Sequence, residues 1–180
     1  MKNIIKSALF LSLLMVGSAH AAFINAYDAT KWTQTVNGGS INTIGAPNSV
    51  TLTSSNNGGG NKNQDFTIAA AGNGIVSFTW NYTTTDINSS WDSFGWLLNG
   101  VFTKLTVNGP TLTQSGTVFF NVLIGNVFGF RANSLDSVFG SATTTISNFN
   151  APNAIPVPAA IWLIGVPLLG LLGRKHKAAI

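Results

Sequence analysis

From Ile75 to Thr83 the chain alternates apolar and polar residues without a break: Val76, Phe78, Trp80 and Tyr82 fall on one face, Ser77, Thr79, Asn81 and Thr83 on the other. A period of two sustained this long predicts a half-buried β-strand. A second run, Phe94, Trp96 and Leu98, reaches Asn99-Gly100 and resumes as Val101, Thr103, Leu105 and Val107. Asn-Gly between two such runs predicts a type I′ hairpin, because both central residues of that turn need positive φ. A third pair, Thr117 to Ile124 and Val127 to Ala132, meets at Gly125-Asn126 and predicts another two-residue hairpin. Ser141 to Phe149 reads as a closing strand, and Ser49 to Ser54 and Asp65 to Ala70 as shorter strands around the loop tract Asn56 to Asn61. Between Ala22 and Pro152 no helical stripe occurs. The expected fold is therefore all-β, an antiparallel β-sandwich of jelly-roll-like type.

The pattern changes at both ends. Lys2 and Lys6 precede an apolar stretch, Ala8 to Gly17, and then Ala19-His20-Ala21, which predicts a secretory signal peptide cut after Ala21. At the other end Pro152, Pro156 and Pro158 favour extended backbone. The uncharged run from Ala154 to Gly173 that they lead into is 20 residues long, enough for a helix to cross a hydrocarbon core of about 30 Å. Arg174, Lys175, His176 and Lys177 follow it and would keep the C-terminus in the cytoplasm. The expected organisation is a signal peptide over 1–21, an exported domain over 22–152, and a C-terminal segment over 153–180 that holds one transmembrane helix and a basic tail. Signal peptidase and the secretion machinery are then partners.

These ends change the meaning of the charge. The whole chain carries a formal +4, but Lys2, Lys6, Arg174, Lys175 and Lys177 all belong to the terminal segments. The body keeps Lys31, Lys62, Lys104 and Arg131 against Asp28, Asp65, Asp86, Asp92 and Asp136. A nearly neutral body is no nucleic-acid binder, which needs a basic stripe on the folded domain. The chain has no cysteine, so a hydrophobic core must stabilise it without disulfides.

Candidate chemistry is limited by what is missing. The five aspartates are the whole acidic complement, glutamate is absent, and His20 and His176 lie in the terminal segments. The body cannot assemble a Ser-His-Asp or Cys-His nucleophile or a histidine zinc site. Paired aspartates would remain for glycoside hydrolysis, but scattered aspartates in a β-sandwich are ordinarily turn residues; the expectation is that the protein is not an enzyme. The loop Asp86-Ile87-Asn88-Ser89-Ser90-Trp91-Asp92 places oxygen side chains at every second position. Asp86, Asn88, Ser90 and Asp92, with Asp136 approaching from the loop 134–140, form a set that would suit calcium. The same residues also suit an Asx-rich turn that caps its own backbone. Trp91, beside this polar loop and outside any strand period, is a candidate for stacking on a sugar ring or for a lid on the sandwich.

The C-terminal segment resembles a known sorting signal. Pro156-Val157-Pro158-Ala159-Ala160, then Ile161 to Gly165, Leu168 to Gly173 and the basic Arg174 and Lys175 are similar to the VPLPA variant of PEP-CTERM signals, with Val157 and Val166-Pro167 as departures. The resemblance implies an exosortase, a membrane-embedded protease or transpeptidase, as processing partner. It also implies transient anchoring in the inner membrane, a final place at the cell surface or in the extracellular matrix, and an association with exopolysaccharide and biofilm. The body, over roughly Gly74 to Pro152, resembles a domain often found in such precursors, carried by Phe78-Thr79-Trp80, Asp86, Asp92 to Gly100, Ser115-Gly116, Gly125 to Arg131, Ser134-Leu135-Asp136, Phe139-Gly140 and Ser147-Asn148-Phe149. Two functional classes follow: a structural matrix protein, or a carbohydrate-binding, lectin-like module with calcium as a candidate cofactor.

Overall fold

The computed structural model describes residues 22–153. The predicted signal-peptidase site at Ala19 and Ala21, the segment Pro156 to Ala160, the transmembrane run, and Arg174 and Lys175 lie outside the described residues. Among the described residues no helix is long and apolar enough to cross a membrane.

The strands, in chain order, are β1 (Thr33–Thr35), β2 (Ser40–Asn42), β3 (Ser49–Thr53), β4 (Lys62–Ala69), β5 (Gly74–Thr84), β6 (Asp92–Leu98), β7 (Val101–Lys104), β8 (Thr113–Val122), β9 (Val127–Ser134) and β10 (Ala142–Asn150). They form two five-stranded sheets with the orders β1-β4-β9-β6-β7 and β2-β3-β10-β5-β8, and every pairing is antiparallel. From β3 onward successive strands alternate between the sheets except at β6 and β7. The all-β sandwich of two antiparallel sheets is the architecture the strand pattern predicted.

The Asn99-Gly100 hairpin forms as expected. Leu98 faces Val101 across the pair, and Asn99 and Gly100 sit at φ 50° and 83°, the left-handed region a type I′ turn requires. The hairpin predicted at Gly125-Asn126 does not form. β8 pairs with β5 and β9 lies between β4 and β6, in the opposite sheet. Asn126 closes that turn on itself, its amide nitrogen donating to the Leu123 carbonyl and its Oδ1 accepting from the Leu123 amide, and the chain crosses the sandwich. The reason lies in the strands: Phe128, Gly129, Phe130 and Ala132 are all buried, which suits a central strand. The first part of β8 exposes alternate residues and suits an edge.

The core is aromatic. Trp32 stacks on Phe66 at 4.5 Å between ring centroids and lies nearly parallel to Phe130 at 5.6 Å, while Phe23 stacks on Phe149 at 4.7 Å. Tyr27 donates its hydroxyl to the Pro152 carbonyl (2.6 Å) and accepts from the Ala71 amide (2.9 Å). The segment from Phe23 to Trp32, two short 3-10 turns, is thus a plug between the sheets at the pole where residues 151–153 leave β10. Phe78, Trp80, Tyr82 and Phe94 are buried and Trp96 stacks on Phe120, as the alternation predicted.

The two outer faces differ in chemistry. On the first sheet Arg131 grips Asp65 through Nε and one Nη (2.7 and 2.6 Å) and lies over the Phe102 ring. On the second sheet the outward positions of β5, β8, β10, β3 and β2 carry serine, threonine and asparagine with two apolar exceptions, Ile75 and Phe119, and no charge.

Candidate functional site

The structure offers two polar regions, one anticipated and one not. The anticipated one is the pole where the β5–β6 loop meets the β3–β4 and β9–β10 loops. Asp92 begins β6 and is completely buried. Its Oδ1 accepts from the Ser54 hydroxyl (2.8 Å) and its Oδ2 from Thr84 (3.2 Å); Tyr82 donates to its backbone carbonyl at 2.6 Å. Burial pushes the Asp92 carboxyl above the usual carboxylate range, donors on Ser54, Ser134 and Thr84 pull it back, and the neighbouring Asp86 charge adds to the rise. Burial likewise raises the Tyr82 phenol far above its ordinary value.

Asp86 lies beside this group, only 2% exposed. Its amide donates to the Thr84 hydroxyl (3.1 Å), so a single threonine links the Asp86 backbone to the Asp92 carboxylate. Its Oδ2 is sealed from solvent and has no hydrogen-bond partner. The remaining members of the predicted set make hydrogen bonds within their own turns. Asn88 Oδ1 accepts from both the amide (2.8 Å) and the hydroxyl (2.6 Å) of Ser90, the self-capping turn that was the other reading of the loop. Asp136 Oδ1 receives the Val138 amide (3.3 Å). Among the described residues no group of three or more His, Cys, Asp or Glu side chains gathers in metal-binding fashion. Trp91 is 43% exposed, its carbonyl held by the Leu135 amide, so its ring stands at the rim with Ile87, Leu135 and Phe139, all exposed.

The second region is the outer face of the β2-β3-β10-β5-β8 sheet. Register aligns its side chains in rows: Thr53, Thr143, Thr83 and Thr113; Thr51, Thr145, Asn81 and Ser115; Ser49, Ser147, Thr79 and Thr117. Neighbouring strands are about 4.8 Å apart and successive outward residues on one strand about 6.8 Å, so hydroxyls form a flat lattice. Thr51 meets Thr145, and Thr53 meets Thr143, at 3.3 Å between hydroxyl oxygens. The rows end at an irregularity in β10 between Ser147 and Asn150, where Asn148 adopts φ 48°. That turn sends Phe149 inward onto Phe23 and leaves Asn148 outside. A cleft of about 440 Å³ opens there, lined by Ala22, Asn48, Ser77, Asn148, Phe149 and Asn150. Phe119, 70% exposed, sits directly across from Ser77 and within side-chain reach of it.

Neither Asn148 nor Phe119 was marked by the sequence as a binding residue, although Asn148 belongs to the Ser147-Asn148-Phe149 stretch noted above. A signal for Phe119 exists: adjacent aromatics Phe119-Phe120 in an alternating strand must face opposite ways, so one is exposed. The bulge that presents Asn148 has no comparable mark.

No protein-family model matches the chain, and no curated protein matches it. Among solved structures it is similar to the native structure of a family 35 carbohydrate binding module from Clostridium thermocellum, with 14% identity, a TM-score of 0.38, and coverage of 66% of this chain and 92% of that one. CBM35 from Paenibacillus barcinonensis gives 15% identity, a TM-score of 0.37, and coverage of 69% and 95%. The carbohydrate binding module CBM6cm-2 from Cellvibrio mixtus lichenase 5A, in complex with cellotriose, gives 12% identity, a TM-score of 0.36, and coverage of 69% and 95%.

Proposed function

We propose that this is an exported, non-catalytic polysaccharide-binding protein whose binding surface is the outer face of the β2-β3-β10-β5-β8 sheet. One observation carries the reading. An uncharged lattice of serine, threonine and asparagine runs across five strands and ends in an amide-lined cleft beside an exposed phenylalanine. Exposed sheet faces are ordinarily interspersed with charge, which keeps them soluble and unpaired. A face without charge suits a neutral polyhydroxylated partner, which offers donors and acceptors in equal measure and no ion to pair. Phe119 supplies an apolar platform for a sugar ring, and Asn48 and Asn148 supply directional bonds to its hydroxyls.

Phe119→Ala is expected to weaken co-sedimentation of the purified chain with insoluble exopolysaccharide from the producing cells about tenfold, with the unfolding midpoint nearly unchanged. Undiminished retention would remove Phe119 from the surface.

A structural reading is favoured by one specific feature. Among the described residues β8, ten residues long, is an edge strand of its sheet, and a long unpaired edge is a template for pairing with another copy. Concentration-dependent assembly without glycan would support that role.

Sorting is the second part of the proposal. Residues 155–180 combine the proline-bounded VPLPA-like segment, an apolar run and a basic tail, and the reading is that an exosortase cuts this segment after secretion, leaving the domain at the cell surface or in the matrix. Intact mass of the mature protein is expected to lack everything from about Pro158 onward. A mass retaining Arg174 to Ile180 would contradict the processing.

A further inference from the structure

Two carboxylates, Asp86 and Asp92, lie buried beside each other at the loop pole, and among the described residues no salt bridge reaches either of them. The salt bridge among the described residues joins Arg131 and Asp65 on a sheet face, and Lys62, at the same pole, spends its ammonium on Asn57 Oδ1 and the Gly58 carbonyl. Asp92 is satisfied by hydroxyl donors. Asp86 is not: its Oδ2 is sealed with no partner. A buried carboxylate without counter-charge is strongly unfavourable. The group that satisfies a sealed carboxylate oxygen beside a second carboxylate, among hydroxyls with spare lone pairs, is a hard cation.

The surroundings are built closely around this oxygen. Thr84 bridges Asp86 to Asp92, Ser54 anchors Asp92 and also receives the Ala142 amide, and the β9–β10 loop presses its backbone onto Asp86. A Cβ at Gly140 would lie 2.4 Å from the Asp86 amide nitrogen. Residues from three loops thus converge on one anionic pocket.

We propose that Asp86 and Asp92, with the hydroxyls of Thr84 and Ser54, hold a hard divalent cation of the calcium type that fastens the β3–β4, β5–β6 and β9–β10 loops together. This ligand set differs from the alternate-residue set suggested by the loop sequence: Asn88, Ser90 and Asp136 are occupied in their own turns. The site is independent of the hydroxyl lattice on the sheet, so it stands or falls apart from the polysaccharide reading.

The test uses the purified full chain in mild detergent, stripped with chelator and then titrated with CaCl₂, MgCl₂ or MnCl₂ while thermal unfolding is followed. A ligand that binds only the folded state raises its stability by mass action. At saturation the midpoint is expected to rise by at least about 5 °C. Asp86→Asn removes the uncompensated charge. It is expected to unfold at a higher midpoint than the stripped wild-type chain and to ignore all three cations. Should that variant not fold, Asp92→Asn is read by the same loss of response. A wild-type chain that responds to none of the cations overturns the site, as does a folded variant that responds as the wild type does.

Discussion

Trp32→Ala is expected to be the most damaging single substitution among the described residues, lowering the free energy of unfolding by about 3–5 kcal/mol. Trp32 is 5% exposed and touches both sides of the core: its indole lies parallel to Phe66 and Phe130 and meets Phe128 and Phe149 edge-on. Removing it deletes the largest side chain of the plug and opens a void that rigid rings on two sheets cannot close. Its Nε1 also donates to the Tyr27 carbonyl at 2.9 Å, and that buried acceptor would be left unpaired, at a further cost of about 1 kcal/mol or more. Stability of this order is a large part of what a domain of this size has. Urea unfolding followed by circular dichroism would measure it, and a loss below about 1 kcal/mol would show that the N-terminal plug is dispensable. Trp32→Phe, which keeps a ring, is expected to lose less than half as much.

Trp32 also marks the limit of what the pattern of residues reveals. Strands with a clean period of two were legible: the alternation around Trp80 and the Asn99-Gly100 turn both led to the observed elements. Strand partners were less so. Gly125-Asn126 reads as a hairpin locally, and only the demand for burial on both faces of β9 moves its partner to the other sheet. The plug was invisible because Phe23, Tyr27 and Trp32, spaced four and five apart, follow neither strand nor helix period. They are placed by contacts far away in sequence. The candidate sites divide in the same way. Asp86 and Asp92 were legible as candidate oxygen donors, since both flank one loop, but their burial and the solitary Asp86 Oδ2 depend on residues more than forty positions away, at Ser134 and Gly140. The hydroxyl lattice was present in fragments, such as Ser77, Thr79 and Asn81. Only the register of five strands turns those fragments into a surface.

That register makes the proposed function open to a decisive substitution. Thr79 and Thr145 point outward from the two central neighbours β5 and β10, opposite Ser147 and Asn81 respectively, and neither contributes to the core. Replacing both by lysine should cost no more than about 1 kcal/mol each, the span of strand propensities. It would, however, set two hydrated ammonium groups on long, mobile side chains in the middle of a lattice without charge. A neutral polysaccharide lying on that face would have to be lifted off it or desolvate them. Retention on insoluble exopolysaccharide is therefore expected to fall at least tenfold, about 1.4 kcal/mol of binding free energy. The same exchange at Thr33 and Thr67, on the outer face of the other sheet, is expected to leave retention unchanged. The comparison separates a binding face from general electrostatics, because both double variants add the same net charge. Equal loss in both would mean that charge alone governs retention. Loss in neither would move binding away from the sheet, leaving the free edge of β8 and the rim around Trp91 as the surfaces that remain.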